Sequence, residues 1–159
     1  MRFQIVSLLA AALMTAGCMG STTAPSATRA VPVSAPLGSH GGVVTMLNQQ
    51  RSSAGLPPVS RSQQLDRAAF IHAQDQMQGG FFGHRGSNGS NVHARITAAG
   101  FDACLSAENI AMGQTSEAAV MGDWMASSGH RANILHPRAE QVGFARAGDH
   151  WVMVLARPC

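Results

Sequence analysis

From Met19 to about Gly42 the chain runs through Ser, Thr, Ala, Pro and Gly with almost no large apolar side chain, and this break limits what the rest can become. Such a stretch buries too little surface to offset the entropy of ordering it. Residues 19–41 therefore read as a disordered tether, extended by Pro25, Pro32 and Pro36. Any hydrophobic core must be built from residues 42–159, a length that suits one domain. No internal repeat or second domain interrupts that segment.

Ahead of the tether, Arg2 gives a positive start and Phe3 to Met14 an apolar run too short to span a bilayer. Residues 1–18 thus read as an export signal. Its end, Thr15-Ala16-Gly17-Cys18, resembles the lipobox of bacterial lipoproteins, with threonine where that pattern has leucine or another aliphatic residue. The resemblance implies that Cys18 becomes the lipid-bearing, palmitate-type first residue of the mature protein and fixes it to a membrane of the cell envelope. In a double-membrane bacterium, Met19 after that cysteine favours the outer membrane. Plain secretion into the periplasm or the medium is the alternative.

Export leaves Cys104 and Cys159 as the remaining cysteines, and an oxidising compartment makes a disulfide between them the economical assignment over two free thiols. A loop of that length contributes on the order of 4 kcal/mol in the chain-entropy account. The eleven basic residues, all arginine, and the eight acidic ones are scattered. With no basic run to follow a phosphate backbone, nucleic acid is a poor partner.

Hydrophobic spacing places helices over 43–53, 61–78 and 92–99, the first stopping at Gly55 and the last at Gly100. Ser60 with Gln63 reads as a capping box for the second. His72 lies on or beside that helix's apolar face and is expected to be packed and hydrogen-bonded, outside any site. Between these helices, Phe81-Phe82-Gly83-His84 opens a glycine-rich loop whose aromatics are expected to plug the core, leaving His84 at a surface or cleft. Residues 106–112 read as a strand in which Glu108 interrupts a partly buried run, and a buried carboxylate needs a partner. Thr115 or Ser116 caps a helix carrying Val120, Met121, Trp124 and Met125, and Gly129 reads as its stop, aiming His130 at a groove. Gln141–Arg146 and Trp151–Ala156 form a closing hairpin.

His84, Glu108 and His130 are thus the chemically capable residues at element ends. Two imidazoles and a carboxylate suit zinc, though no HExxH or paired CxxC fixes a metal geometry.

Several stretches together resemble the CAP superfamily, also called the SCP domain, in its bacterial branch: Leu47-Asn48 with Arg51, Gly55-Leu56, Phe81-Phe82-x-His84, Glu108-Asn109-Ile110-Ala111, and Trp124-x-x-Ser127-x-Gly129-His130-Arg131-x-Asn133-Ile134-Leu135. The resemblance covers about Val43 to Leu155. It implies an α+β fold, a three-layer α-β-α sandwich with a central antiparallel sheet, and a cleft in which His84, Glu108 and His130 meet. Eukaryotic relatives usually carry a second glutamate where this chain has Ser127, a residue common there in bacterial forms; the serine lowers the cleft's negative charge, which disfavours calcium and leaves zinc as the candidate. Three functions follow as expectations. The first is a surface-anchored module holding zinc or a small ligand. The second is a hydrolase of envelope peptide or peptidoglycan, with Glu108 or a histidine activating water, or Ser127 or Ser128 as nucleophile. The third is a structural or interaction module of the envelope.

Overall fold

The computed structural model describes residues 41–159; the expected export signal, the expected lipid attachment at Cys18 and all of the expected tether but Gly41 lie outside the described residues. Five helices and four strands follow in the order α1 (Gly41–Ser53), β1 (Ser60–Arg61), α2 (Gln63–Gly79), α3 (Val92–Ala98), β2 (Ala103–Met112), α4 (Glu117–Ala126), α5 (Ser128–Ile134), β3 (Gln141–Ala147) and β4 (His150–Pro158). Among these residues no helix is long and apolar enough to cross a membrane.

The sheet order is β1-β3-β4-β2. The expected antiparallel sheet holds for β2, β4 and β3, but the two-residue β1 runs parallel to β3 and makes the sheet mixed. Alternation along a strand sends successive side chains to opposite faces. Accordingly Trp151, Met153 and Leu155 pack with α1, α4 and α5, while Val152, Val154 and Ala156 pack with α2 and α3. This double burial explains the nearly unbroken apolar run of β4, and it makes the fold a sandwich of three layers. On the α2 side the layers touch at Gly143, where a Cβ would stand 2.1 Å from the backbone carbon of Leu65.

Local signals fix several element ends. Asn91 caps α3 by accepting from the Ala94 amide, and Ser116 caps α4 by accepting from the Ala119 amide. Gly80 takes the left-handed conformation that closes α2, with φ 63°. Two expected ends differ. The Ser60–Gln63 capping box does not form, because the Ser60 amide is committed to the Glu140 carbonyl beside the β1–β3 pairing and Ser62 occupies the cap position. Gly129 is not the stop of α4 either. The chain turns at Ser127, which is extended at φ −90° and ψ 124°, and Gly129 lies inside α5 without a positive φ.

Buried Arg51 on α1 clamps the far end of α5. Its guanidinium donates to the carbonyls of Pro57, Ile134, His136 and Ala139 at 2.9–3.2 Å. Cys104 and Cys159 form the expected disulfide, with Cα atoms 4.8 Å apart, tying the chain's last residue to the start of β2.

Candidate functional site

The site straddles β2, the strand at one edge of the sheet. Glu108 and Ile110 face α2 and α3, whereas Ala111 joins the core beneath α4 and α5. Asn109 faces the same way as Ala111, donating from Nδ2 to the His130 carbonyl at 3.0 Å. Each layer then sends one histidine to the edge. His84 arrives on the loop after α2 and His130 on α5, and both line an open cleft of about 560 Å³ with Phe82, Ile110, Met112, Trp124 and Ser127.

Docking of α4 and α5 on this edge uses the polar residues of the Trp124–Leu135 stretch. Trp124 Nε1 donates to the Ile110 carbonyl at 3.2 Å. Asn133 Nδ2 reaches the Glu108 carbonyl at 3.2 Å and Asn109 Oδ1 at 2.9 Å. Edge carbonyls that would otherwise lack partners are therefore satisfied by side chains, which covers the edge.

Glu108 is 3% exposed at its side chain, and both its oxygens are engaged. His84 Nδ1 donates to Oε1 at 2.9 Å, and Arg95 Nη2 donates to Oε2 at 2.6 Å. Arg95 also donates to the carbonyls of Ser90 at 2.8 Å and His84 at 3.1 Å, so one guanidinium joins the His84 loop to α3 and β2. The sequence reading missed this residue. A usable signal was present, since Arg95 shares an apolar face with Val92, Ile96 and Ala99 just as Glu108 interrupts an apolar strand.

The ring of His84 is 60% exposed. With Nδ1 held by Glu108, its Nε2 is left for the cleft. His130 is held below its usual pKa, first by burial and then by the charge of His84, so it is neutral near pH 7 and offers a lone pair. His72 is fully buried and pairs through Nε2 with the Gly83 carbonyl at 2.9 Å, as expected of a packed histidine. It nevertheless comes within 3.8 Å of Glu108 Oε1. Other expectations shift. Phe82 does not plug the core; it is 50% exposed and stands at the cleft rim. Ser127 lines the cleft, but Ser128 lines a separate shallow groove with Met125, Arg131 and Leu135, which takes it out of the constellation.

Among the described residues no three His, Cys, Asp or Glu side chains are grouped to hold a metal ion. The donor set fits zinc in one form only. His84 and His130 would be the protein ligands of an open site, and Glu108 would orient His84 from behind, as carboxylates commonly do for zinc-bound histidines. A closed, structural site does not fit.

A three-layer α+β sandwich with its polar cleft over the edge strand defines the class, and the sequence settles which one. The chain belongs to the cysteine-rich secretory protein family, CAP, whose pattern it matches over residues 44–154. It is 32% identical to the uncharacterized protein YkwD of Bacillus subtilis over 111 residues, which is 69% of this chain and 43% of that protein. In structure it is similar to an extracellular SCP-domain protein of Bacillus anthracis, with a TM-score of 0.72 at 24% identity, over 74% of this chain and 39% of that one. It is also similar to an outer surface protein of Borrelia burgdorferi, with a TM-score of 0.71 at 17% identity, over 76% and 92% of the two chains. The match thus spans less than half the length of both Bacillus proteins.

Proposed function

We propose that this is an exported, envelope-anchored CAP-domain protein whose His84–His130 cleft binds a zinc ion, or failing that a small ligand that the two imidazoles recognise. One observation carries the reading: Glu108 holds His84 through Nδ1 and so leaves Nε2 for the cleft that His130 also lines. That is how a histidine is prepared to give a lone pair. A bound zinc would supply Lewis-acid polarisation of a ligand oxygen. The chain's own part is to fix His84, keep His130 neutral and shield one side with Phe82 and Met112. Binding is favoured over hydrolysis because both Glu108 oxygens are committed to His84 and Arg95, so the carboxylate has no oxygen poised to take a proton from water. Export and lipid attachment at Cys18 are supported by the signal-like first residues and by the extracellular and outer-surface character of similar proteins.

The test is metal content of the protein purified with its disulfide and without a histidine tag. About one zinc per chain is expected at neutral pH, with loss of that zinc in a His84→Ala/His130→Ala variant. A folded native protein that takes up no zinc would refute the metal reading and leave the small ligand as the occupant to be sought.

A further inference from the structure

The two cleft histidines reach the sheet edge from opposite layers, yet both are held by neighbouring residues of β2. Successive side chains of a strand point to opposite faces. Glu108 therefore meets His84 on the side of α2 and α3, accepting from Nδ1 at 2.9 Å. Asn109 meets α5 on the other side, donating from Nδ2 to the His130 carbonyl at 3.0 Å. One peptide link, about 3.8 Å between Cα atoms, separates the two points of attachment. It lies in a strand paired with β4, where Glu108 stands opposite Val154 and Asn109 opposite Met153. The spacing of His84 and His130 is thus referred to a stiff element, not to the loop or to α5 alone.

Asn109 is fully buried and has one orientation. Asn133 spends its Nδ2 hydrogens on the Glu108 carbonyl at 3.2 Å and on Asn109 Oδ1 at 2.9 Å. The oxygen of the Asn109 amide therefore faces Asn133, and its nitrogen faces His130. His130 and Asn133 stand one helical turn apart on α5, so Asn109 grips that turn at both ends and fixes its rotation as well as its position.

Elsewhere α5 is held at its far end, where Arg51 donates to the Ile134 carbonyl. Its start at Ser127 carries no side-chain cap bond. The turn that presents His130 therefore depends on Asn109. The two histidines also differ in what is held: Glu108 bonds the His84 ring itself, whereas Asn109 bonds the main chain of His130 and leaves its ring to the cleft.

We infer that Asn109, oriented by Asn133, is the positioning residue for His130, setting where that imidazole stands relative to His84 as Glu108 does from the other face. The effect on zinc rests on the reading of the cleft given above; the placement of the ring does not.

The experiment uses the full chain with its disulfide and follows the histidine ring signals in carbon-edited spectra at one neutral pH, without metal. Asn109→Ala should move the His130 signal and leave that of His84 in place, whereas Glu108→Gln should move that of His84. Zinc affinity, read by competition with a chelator, should fall at least about tenfold in Asn109→Ala with one zinc per chain retained. Asn109→Ala/Glu108→Gln should lose the product of the two single effects, since each acts on a different histidine. A native protein that takes up no zinc would refute the metal reading alone, and the ring signals would still decide the placement. Should Asn109→Ala not fold, Asn133→Ala, at a half-buried position, removes only the bonds that orient the Asn109 amide and should move the same signal by less. A folded variant with a lowered unfolding midpoint but an unmoved His130 signal would make the asparagines merely structural and overturn the inference, as would an unchanged affinity in a zinc-binding protein.

Discussion

Arg95 Nη2 stands 2.6 Å from Glu108 Oε2, with the two side chains 6% and 3% exposed. Each charge interrupts an otherwise apolar face, one on α3 and one on β2, and each is tolerable only because the other is there. The same guanidinium carries the carbonyls of His84 and Ser90, so the pair holds the loop as well as itself.

Arg95→Leu should therefore destabilise the protein by about 3–5 kcal/mol, the usual result of stranding one partner of a buried pair. Arg95→Leu/Glu108→Leu should be more stable than Arg95→Leu alone, since no charge is left stranded. Urea unfolding of Arg95→Leu, Glu108→Leu and the double variant decides this. A double variant as unstable as the sum of both singles would mean that the two groups do not act together.

For the cleft, Glu108→Gln is the informative change, because Glu108 is placed as the group behind His84 and not as a ligand. Zinc affinity should fall about 10–100-fold, the range seen when partners of ligating histidines are altered, and stoichiometry should be retained. Competition against a chromophoric chelator measures it. Loss of stoichiometric binding would instead make Glu108 a direct ligand.

Two glycines separate what a sequence displays from what only packing reveals. Gly143 on β3 has nothing unusual around it in the chain, yet a Cβ there would stand 2.1 Å from Leu65 C and 2.3 Å from Asp66 N. These are backbone atoms of α2, which cannot yield as a side-chain tip can. Gly143→Ala should prevent normal folding or lower stability by several kcal/mol. Gly129 sits inside α5, with no heavy atom within 4 Å of the position of an added Cβ. Gly129→Ala should be neutral or stabilise by up to about 1 kcal/mol. Thermal unfolding of the two variants tests both, and marked destabilisation by Gly129→Ala would restore the helix-stop role that the sequence first gave it.

That contrast shows where the sequence was legible. Periodicity located α1 to α4 because each buries one regular face, two apolar runs around a turn located the β3–β4 hairpin, and the family pattern pointed to His84 and His130, which line one cleft, and to Glu108, which bonds to His84. Arg95 and Glu108 each interrupt an apolar face, but nothing in a single chain says that a charge on α3 and a charge on β2 will meet across layers. The Ser60 cap failed for a similar reason. Locally Ser60-x-x-Gln63 is a good helix start, but pairing beside β3 claims the Ser60 backbone first. Asn109 and Asn133 were legible as letters of a pattern, whereas their task, joining α5 to the sheet edge, needed the geometry.

His72 supplies the last prediction, about pH. Burial, the largest effect, and the Arg95 charge lower its pKa from the ordinary 6.5, against opposing contributions from Glu108, the Gly83 carbonyl and Asp75. His130 is lowered in the same direction. Below pH 6.5 the unfolded chain takes up protons at these positions that the folded chain refuses, so the unfolded state binds more protons and stability falls as pH falls. The loss begins near 6.5 and levels off once pH passes below each folded value. One such group gives at most about 1.4 kcal/mol per pH unit. Urea midpoints should accordingly drop between about pH 7.5 and about pH 5.5, and His72→Gln, whose amide can still donate to the Gly83 carbonyl, should flatten that slope while leaving the disulfide intact. A wild-type midpoint constant over this range, or a slope that His72→Gln leaves unchanged, would show that the buried imidazole is not what couples folding to protons.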